Sequence, residues 1–229
     1  INILIYSNME YYLKLILIIS LIIVLFIITY KNIENFNNLN NSNISNNSNL
    51  YICYKNKNIP KFIIPNLKKL NPEFNIHLYD NDDCINFLRK EYGVEHVKIF
   101  NFLKDGPIKS DFWRCCILYK KGGWYADIDI KPIKPLKSLY TKDLEFMTVK
   151  SYYGKSRVTP ELIYSRKGNK LLKLCIDRYL NDYQNNKKYS YWGYSIVGIM
   201  TDEIKKVLNN PINNKNNIYY DNTGKKYKI

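Results

Sequence analysis

The apolar positions change regime along the chain. From Leu13 to Ile28 they are nearly continuous (LKLILIISLIIVLFII). With Tyr11, Tyr12 and Tyr30 as flanking aromatics, the stretch reaches the roughly 20 residues that a bilayer core requires. Lys14 is its only internal charge and lies close enough to the end to snorkel. No A-x-A-like site follows, so the pattern predicts an uncleaved signal anchor rather than a cleaved signal peptide. Met9 would make a natural initiator, with residues 1–8 an upstream read-through. Lys14 and Lys31 flank the span almost symmetrically, so charge leaves its orientation open. An asparagine–serine run follows, with too little apolar content to fold, and predicts a flexible stalk. Its N-x-S sequons at Asn40, Asn43 and Asn46 are of the kind that arise by chance in so Asn-rich a segment.

After the stalk, short apolar runs alternate with segments of helical period. Leu50–Tyr54 reads as a first strand and 74–79 as a second, with Phe74, Ile76 and Leu78 alternating. Between them, residues 59–70 have a helix-like period that Asn71-Pro72 stops. Asp80-Asn81-Asp82-Asp83 departs from a calcium loop at Cys84 and Ile85, and reads as a turn and cap for a helix over 84–92. Gly106-Pro107 introduces a central helix that Ser110 or Asp111 can cap and Gly122-Gly123 ends. A strand then runs through Asp127-Ile128-Asp129, until Lys131-Pro132 and Lys134-Pro135 stop it. Further elements are a strand over 144–149, an amphipathic helix over 171–183, a segment over 195–207 and a polar, Asn-rich tail after Pro211. The expected organisation is an N-terminal anchor segment over 1–30, a stalk over 31–49 and one folded domain over 50–229. Strands alternating with helices make that domain α/β.

Candidate chemistry concentrates at Asp127 and Asp129. On a strand, residues two apart share a face, which places these carboxylates roughly 6–7 Å apart at the backbone. Carboxylates that close repel unless a cation or proton lies between them. Mg²⁺ and Mn²⁺ take oxygen ligands and bridge carboxylates to substrate phosphates. The formal charge of +15 points to an anionic partner, whether nucleic acid, membrane surface or phosphorylated small molecule, though a solvated lysine surface accounts for it equally. Lys131 and Lys134 invite the same two readings. Nucleic acid is set aside: no recognised motif appears, and the tyrosines are scattered rather than arranged for stacking. Cys53, Cys84, Cys115, Cys116 and Cys175 have no C-x-x-C spacing and exclude a zinc site, while one disulfide is compatible with an oxidising lumen. His77 and His96 are isolated and read as structural.

Lys109-Ser110-Asp111, Arg114, Ile117-Leu118-Tyr119, Gly122-Gly123, Tyr125 and Asp127-x-Asp129 occur in fixed order. That string resembles the signature of the DXD-containing glycosyltransferases, a family that includes the fungal initiation-specific α-1,6-mannosyltransferase and is related to the large glucosylating toxins. Weaker similarity reaches upstream through Asn71-Pro72-Glu73-Phe74 and Leu78-Tyr79-Asp80. The resemblance implies a GT-A type, Rossmann-like nucleotide-sugar-binding domain preceded by a single transmembrane helix. Its implied activity is transfer of a hexose from a nucleotide diphosphate sugar to a glycan or glycoconjugate hydroxyl, with Mn²⁺ or Mg²⁺ and with retention of configuration. Asp129 would hold the metal most directly, and Asp127 the ribose and the metal's water shell. Asp111 and Arg114 would bind donor-sugar hydroxyls, and Tyr125 would help line the pocket. The catalytic domain would face a lumen of Golgi or endoplasmic-reticulum type, or the exterior. Residues 195–207 only loosely resemble the family's later T-G-P segment, with Val197 and Ile199 in place of Thr and Pro and only Gly198 matching. That departure supports an alternative: an inactive nucleotide-sugar or glycan-binding module of the same fold.

Overall fold

A computed structural model describes residues 18–32, 48–152, 157–208 and 217–229. The chain divides into two units, Ile1–Ser45 and Asn46–Ile229. In the first, residues 18–32 form an exposed apolar helix, α1. Residues 13–17 of the expected anchor, and most of the expected stalk, lie outside the described residues. Among those described, no helix is long and apolar enough to cross a membrane.

The second unit is built on one mixed sheet. In chain order, its elements begin β1 (Asn49–Cys53), α2 (Ile63–Leu70), β2 (Asn75–Tyr79), α3 (Asn81–Tyr92), α4 (Val94–Phe102), α5 (Gly106–Lys121) and β3 (Gly123–Ala126). They continue with a 3₁₀ turn (Leu136–Leu139), β4 (Leu144–Lys150), β5 (Val158–Ser165), α6 (Lys170–Gln184), α7 (Tyr191–Tyr194), α8 (Ile196–Val207), β6 (Ile218–Tyr220) and β7 (Lys226–Lys228). The strand order is β2-β1-β3-β5-β4-β7-β6. β1 runs parallel to both β2 and β3, whereas β5 is antiparallel to β3 and β4. This is the expected α/β architecture.

Alternation along the strands divides the core between the two faces of the sheet. Tyr51, Tyr125, Phe146 and Ile163 belong to the apolar cluster shared with α3, α4, α5, α6 and α8. Leu50, Ile52, Trp124, Ala126 and Tyr164 point the other way, toward Leu67 of α2 and Leu136. α5 is buried nearly all round from Ile108 to Leu118, polar Ser110, Asp111 and Arg114 included, so these side chains must find partners inside the fold.

Two local expectations are corrected. Asp127-Ile128-Asp129 is not strand: β3 ends at Ala126, and the Ile130 N–H donates to the Asp127 carbonyl at 3.1 Å, closing a turn. The prolines downstream supply no ladder donors, so the chain leaves the sheet early. Neither Ser110 nor Asp111 caps α5, because the helix begins four residues before Ser110 with Pro107 in its first turn, a position where a missing N–H costs nothing. The polar tail yields two strands, β6 and β7, and β7 adds to β4. The acidic run caps a helix as expected, but α3 starts at Asn81 rather than Cys84: Asp80 is the cap, and Asp83 in the first turn completes a reciprocal capping box.

Candidate active site

The parallel strands β1 and β3 end side by side, and the strand order reverses at β1: the chain passes through α2 to β2 on one side and returns from β2 through α3, α4 and α5 to β3 on the other. A crevice opens at such a switch point, at the carboxyl ends of the strands, where α/β sheets bind ligands. A cavity of about 340 Å³ lies there. Its lining includes Cys53 at the end of β1 with Tyr54 and Lys55 just beyond it, Ser110 and Arg114 of α5, and Asp127 and Asp129 beyond β3.

Arg114 organises the polar wall. It is 4 % exposed, and its Nη2 lies 3.0 Å from Asp111 Oδ1 and 3.0 Å from Asp127 Oδ1. Nε donates to the Ser110 carbonyl at 3.3 Å and Nη1 to the Pro160 carbonyl. The guanidinium lies over the Tyr125 ring, 4.3 Å from its centroid. Helical spacing puts Asp111 and Arg114 on one face of α5. Tyr125, one residue before β3 ends, supplies the floor. Its hydroxyl donates to Asp127 Oδ1 at 2.7 Å and meets Ser110 Oγ at 2.7 Å. The second oxygen of Asp111 accepts the Ile196 N–H at 3.0 Å, tying the start of α8 to the same cluster.

The electrostatics follow from burial. Desolvation pushes Asp111 up to about 6, against the downward pull of Arg114 and the Ile196 N–H. Burial opposes the charge on Arg114, but Tyr125, Asp111 and Asp127 outweigh it and hold the guanidinium above its ordinary range. Glu161 is raised by burial and then by the charges of Asp127 and Asp129. Its backbone carbonyl accepts the Asp127 N–H at 2.8 Å, which ties β5 to the residue after β3.

Of the five residues singled out in the sequence, Asp111, Arg114, Tyr125 and Asp127 form one bonded cluster. Asp129 stands apart and exposed, at the wall between the crevice and a second cavity of about 540 Å³ lined by α2 and residues 128–132. Tyr125 is fully buried beneath Arg114. Among the described residues, no group of three or more His, Cys, Asp or Glu side chains is arranged to hold a metal. The donor set nevertheless fits Mg²⁺ or Mn²⁺, which bind through one or two carboxylates and take their remaining ligands from water and substrate phosphates. Asp129 is exposed at the crevice, and Asp127 commits Oδ1 alone to Arg114 and Tyr125.

Glu161 and the Ile196 N–H were not legible in the sequence, because no motif marks them, and Ser110, part of the motif string, was read only as a cap. Sequence reasoning also missed Tyr54 and Lys55, whose position after an apolar parallel strand was a usable signal. Cys53 and Cys84 are free thiols with Sγ atoms 3.5 Å apart, and all five cysteines are free. His77 bonds Asn49 and stacks on Tyr51, while His96 stacks on Phe112, both structural placements.

The family model for the glycosyltransferase sugar-binding region containing DXD motif matches residues 60–145. An uncharacterized glycosyltransferase of Acanthamoeba polyphaga mimivirus is 35% identical over 65 residues, covering 28% of this chain and 26% of the relative. The initiation-specific alpha-1,6-mannosyltransferase of Saccharomyces cerevisiae is 31% identical over 70 residues, 30% of this chain and 15% of the relative. The chain thus matches about a quarter or less of the length of these relatives. The solved PaToxG glycosyltransferase superposes with a TM-score of 0.55 at 18% identity over 76% of each chain, a likeness of fold.

Proposed function

We propose that this chain, whose residues 60–145 match the family model for the glycosyltransferase sugar-binding region containing DXD motif, transfers a hexose from a nucleotide diphosphate sugar to a hydroxyl of a glycan, glycoprotein or glycolipid. One observation carries the reading: Arg114 is clamped between Asp111 and Asp127 at the switch-point crevice, with Asp129 exposed beside them. The donor's diphosphate enters the crevice past Lys55, whose charge attracts it. Asp129 and Asp127 would hold Mn²⁺ or Mg²⁺. When bound, that ion stabilises negative charge on the departing diphosphate. Arg114, which lines the crevice, faces the sugar hydroxyls, with Asp111 buried behind it as its counter-charge and Tyr125 holding it from below. Because these groups are locked by packing before substrate arrives, they need no reorganisation as charge develops. The configuration is retained. Residues 13–30 anchor the protein in a membrane as a single span, with the catalytic domain on the lumenal or outer side.

The test is metal-dependent release of nucleoside diphosphate by the full chain from a panel of nucleotide sugars. Asp129→Ala should lower release at least about 100-fold, the scale set by removal of a group that stabilises transition-state charge. Circular dichroism should remain that of wild type, since Asp129 is exposed. Metal-dependent nucleotide binding with no release from any donor favours the inactive-module reading, as does the altered T-G-P-like segment.

A further inference from the structure

We infer that the cavity between α7, α8 and Arg157 is a binding subsite for a neutral oligosaccharide, the acceptor glycan of the proposed transfer. It is separate from the donor crevice, has a volume of about 540 Å³, and is lined by Arg157, Trp192, Gly198, Thr201, Asp202 and Lys205, with Val197 at its side. The inference rests on the glycosyltransferase reading for the identity of its occupant, but not for the existence of the site.

Trp192 is 77 % exposed, in contrast to Trp113 and Trp124, which are buried. An indole left in water is costly, and its electron-rich face suits the C–H groups on the apolar face of a pyranose. The ring is buttressed by Tyr191, edge-to-face with centroids 5.2 Å apart. Around it stand donors and acceptors of both signs: Arg157, Asp202 and Lys205 are exposed, and none joins an ion pair among the described residues. An apolar plate ringed by uncommitted polar groups matches a sugar, which has one apolar face and an equator of hydroxyls. A fatty chain would leave the polar groups unmatched, and with Asp202 offsetting one of the two cations the lining carries a net charge of only +1, little to hold a polyanion. Gly198 opens the floor, since a Cβ built there would meet nothing within 4 Å.

Position links this cavity to the crevice. Ile196, four residues beyond Trp192, donates its N–H to Asp111. Tyr191 feels the field of Asp111, and more weakly those of Arg114 and Asp127. A glycan lying on Trp192 is therefore carried by α7 toward the sugar-binding carboxylates.

The test uses the full chain without donor or metal. Acrylamide quenching of tryptophan fluorescence and titration calorimetry are run with mannotriose, maltotriose and N-acetylchitotriose at millimolar concentration. Trp192 dominates quenching, because the other two tryptophans are buried. At least one saccharide should protect the exposed indole and shift its emission to the blue. Its affinity should fall at least tenfold in Trp192→Ala and in Gly198→Leu, and change less than threefold in Trp192→Tyr. Both altered positions are exposed, so the variants should fold. Protection by none of the three saccharides, or protection undiminished in Gly198→Leu, overturns the subsite. A wild type that binds saccharide but releases no nucleoside diphosphate overturns the transfer reading and leaves the subsite standing. One that transfers to the three saccharides with the same acceptor KM in wild type and Gly198→Leu overturns the subsite and leaves transfer intact.

Discussion

Arg114 gives up nearly all its water and receives two carboxylates, a tyrosine ring and two backbone carbonyls in exchange. Burying a charge costs several kcal/mol unless its partners repay it. Here Arg114, Asp111 and Asp127 together sum to one net negative charge, which leaves Asp111 as the group burial presses toward neutrality. Its folded value of about 6 lies above the roughly 3.9 of an unfolded aspartate. A carboxyl raised in this way stabilises the fold by holding its proton. That contribution is full below about pH 4 and is lost as pH rises through about 6. The urea midpoint of wild type should therefore fall across this window relative to Asp111→Asn, whose profile lacks the step. Turnover should run the opposite way, since the ionised carboxylate grips both Arg114 and the Ile196 N–H. A pH–rate profile rising through about pH 6, and flat there in Asp111→Asn, checks it.

At the scale of elements, the junction of α5 and β3 sets the site, because it places Arg114 over Tyr125. Gly122 turns the chain with φ +68°, and a Cβ there would meet the Lys167 nitrogen at 2.8 Å and the Ser165 carbonyl at 3.2 Å. Both neighbours are backbone and cannot swing aside. Gly122→Ala should therefore cost about 1–3 kcal/mol, measured as a loss of unfolding free energy in urea. This junction was legible in advance, since a double glycine after an apolar helical run leaves few other readings. The end of β3 was not. Alternation continues through Ile128 and Ile130, so the pattern extends the strand, whereas the closing hydrogen bond from Ile130 to Asp127 depends on chain geometry alone. β5 was hidden for a different reason: Pro160 interrupts it, and a proline argues against a central strand. The proline is accommodated beside the register shift between Met147 and Val149, where its carbonyl is taken by Arg114.

Across the whole molecule, the last residues close the sheet. β7 lies parallel to β4 and pairs with β6, so residues from the polar tail cover an edge that would otherwise be open. Tyr227 is 1 % exposed and packs on Phe146, with ring centroids 6.1 Å apart. Tyr227→Ala should lower unfolding free energy by about 3–5 kcal/mol, the range for removing a buried aromatic ring, as read from urea unfolding at neutral pH. The loss should leave the far edge, β2-β1-β3, and the crevice beside it structurally intact, which chemical shifts of Tyr125 and Tyr54 would report.

By itself the sequence determined which residues could do chemistry. Motif spacing brought Asp111, Arg114, Tyr125, Asp127 and Asp129 together, and period told helices from strands, because both depend on neighbours a few positions apart. Only the tertiary structure decided how those residues divide the work. It spends Asp127 on Arg114, leaves Asp129 in water, adds Glu161 from β5 and the Ile196 N–H from α8, and stands Trp192 at the rim. Those outcomes depend on burial and on contacts between segments as many as 85 positions apart, where local pattern carries no information and packing sets the electrostatics.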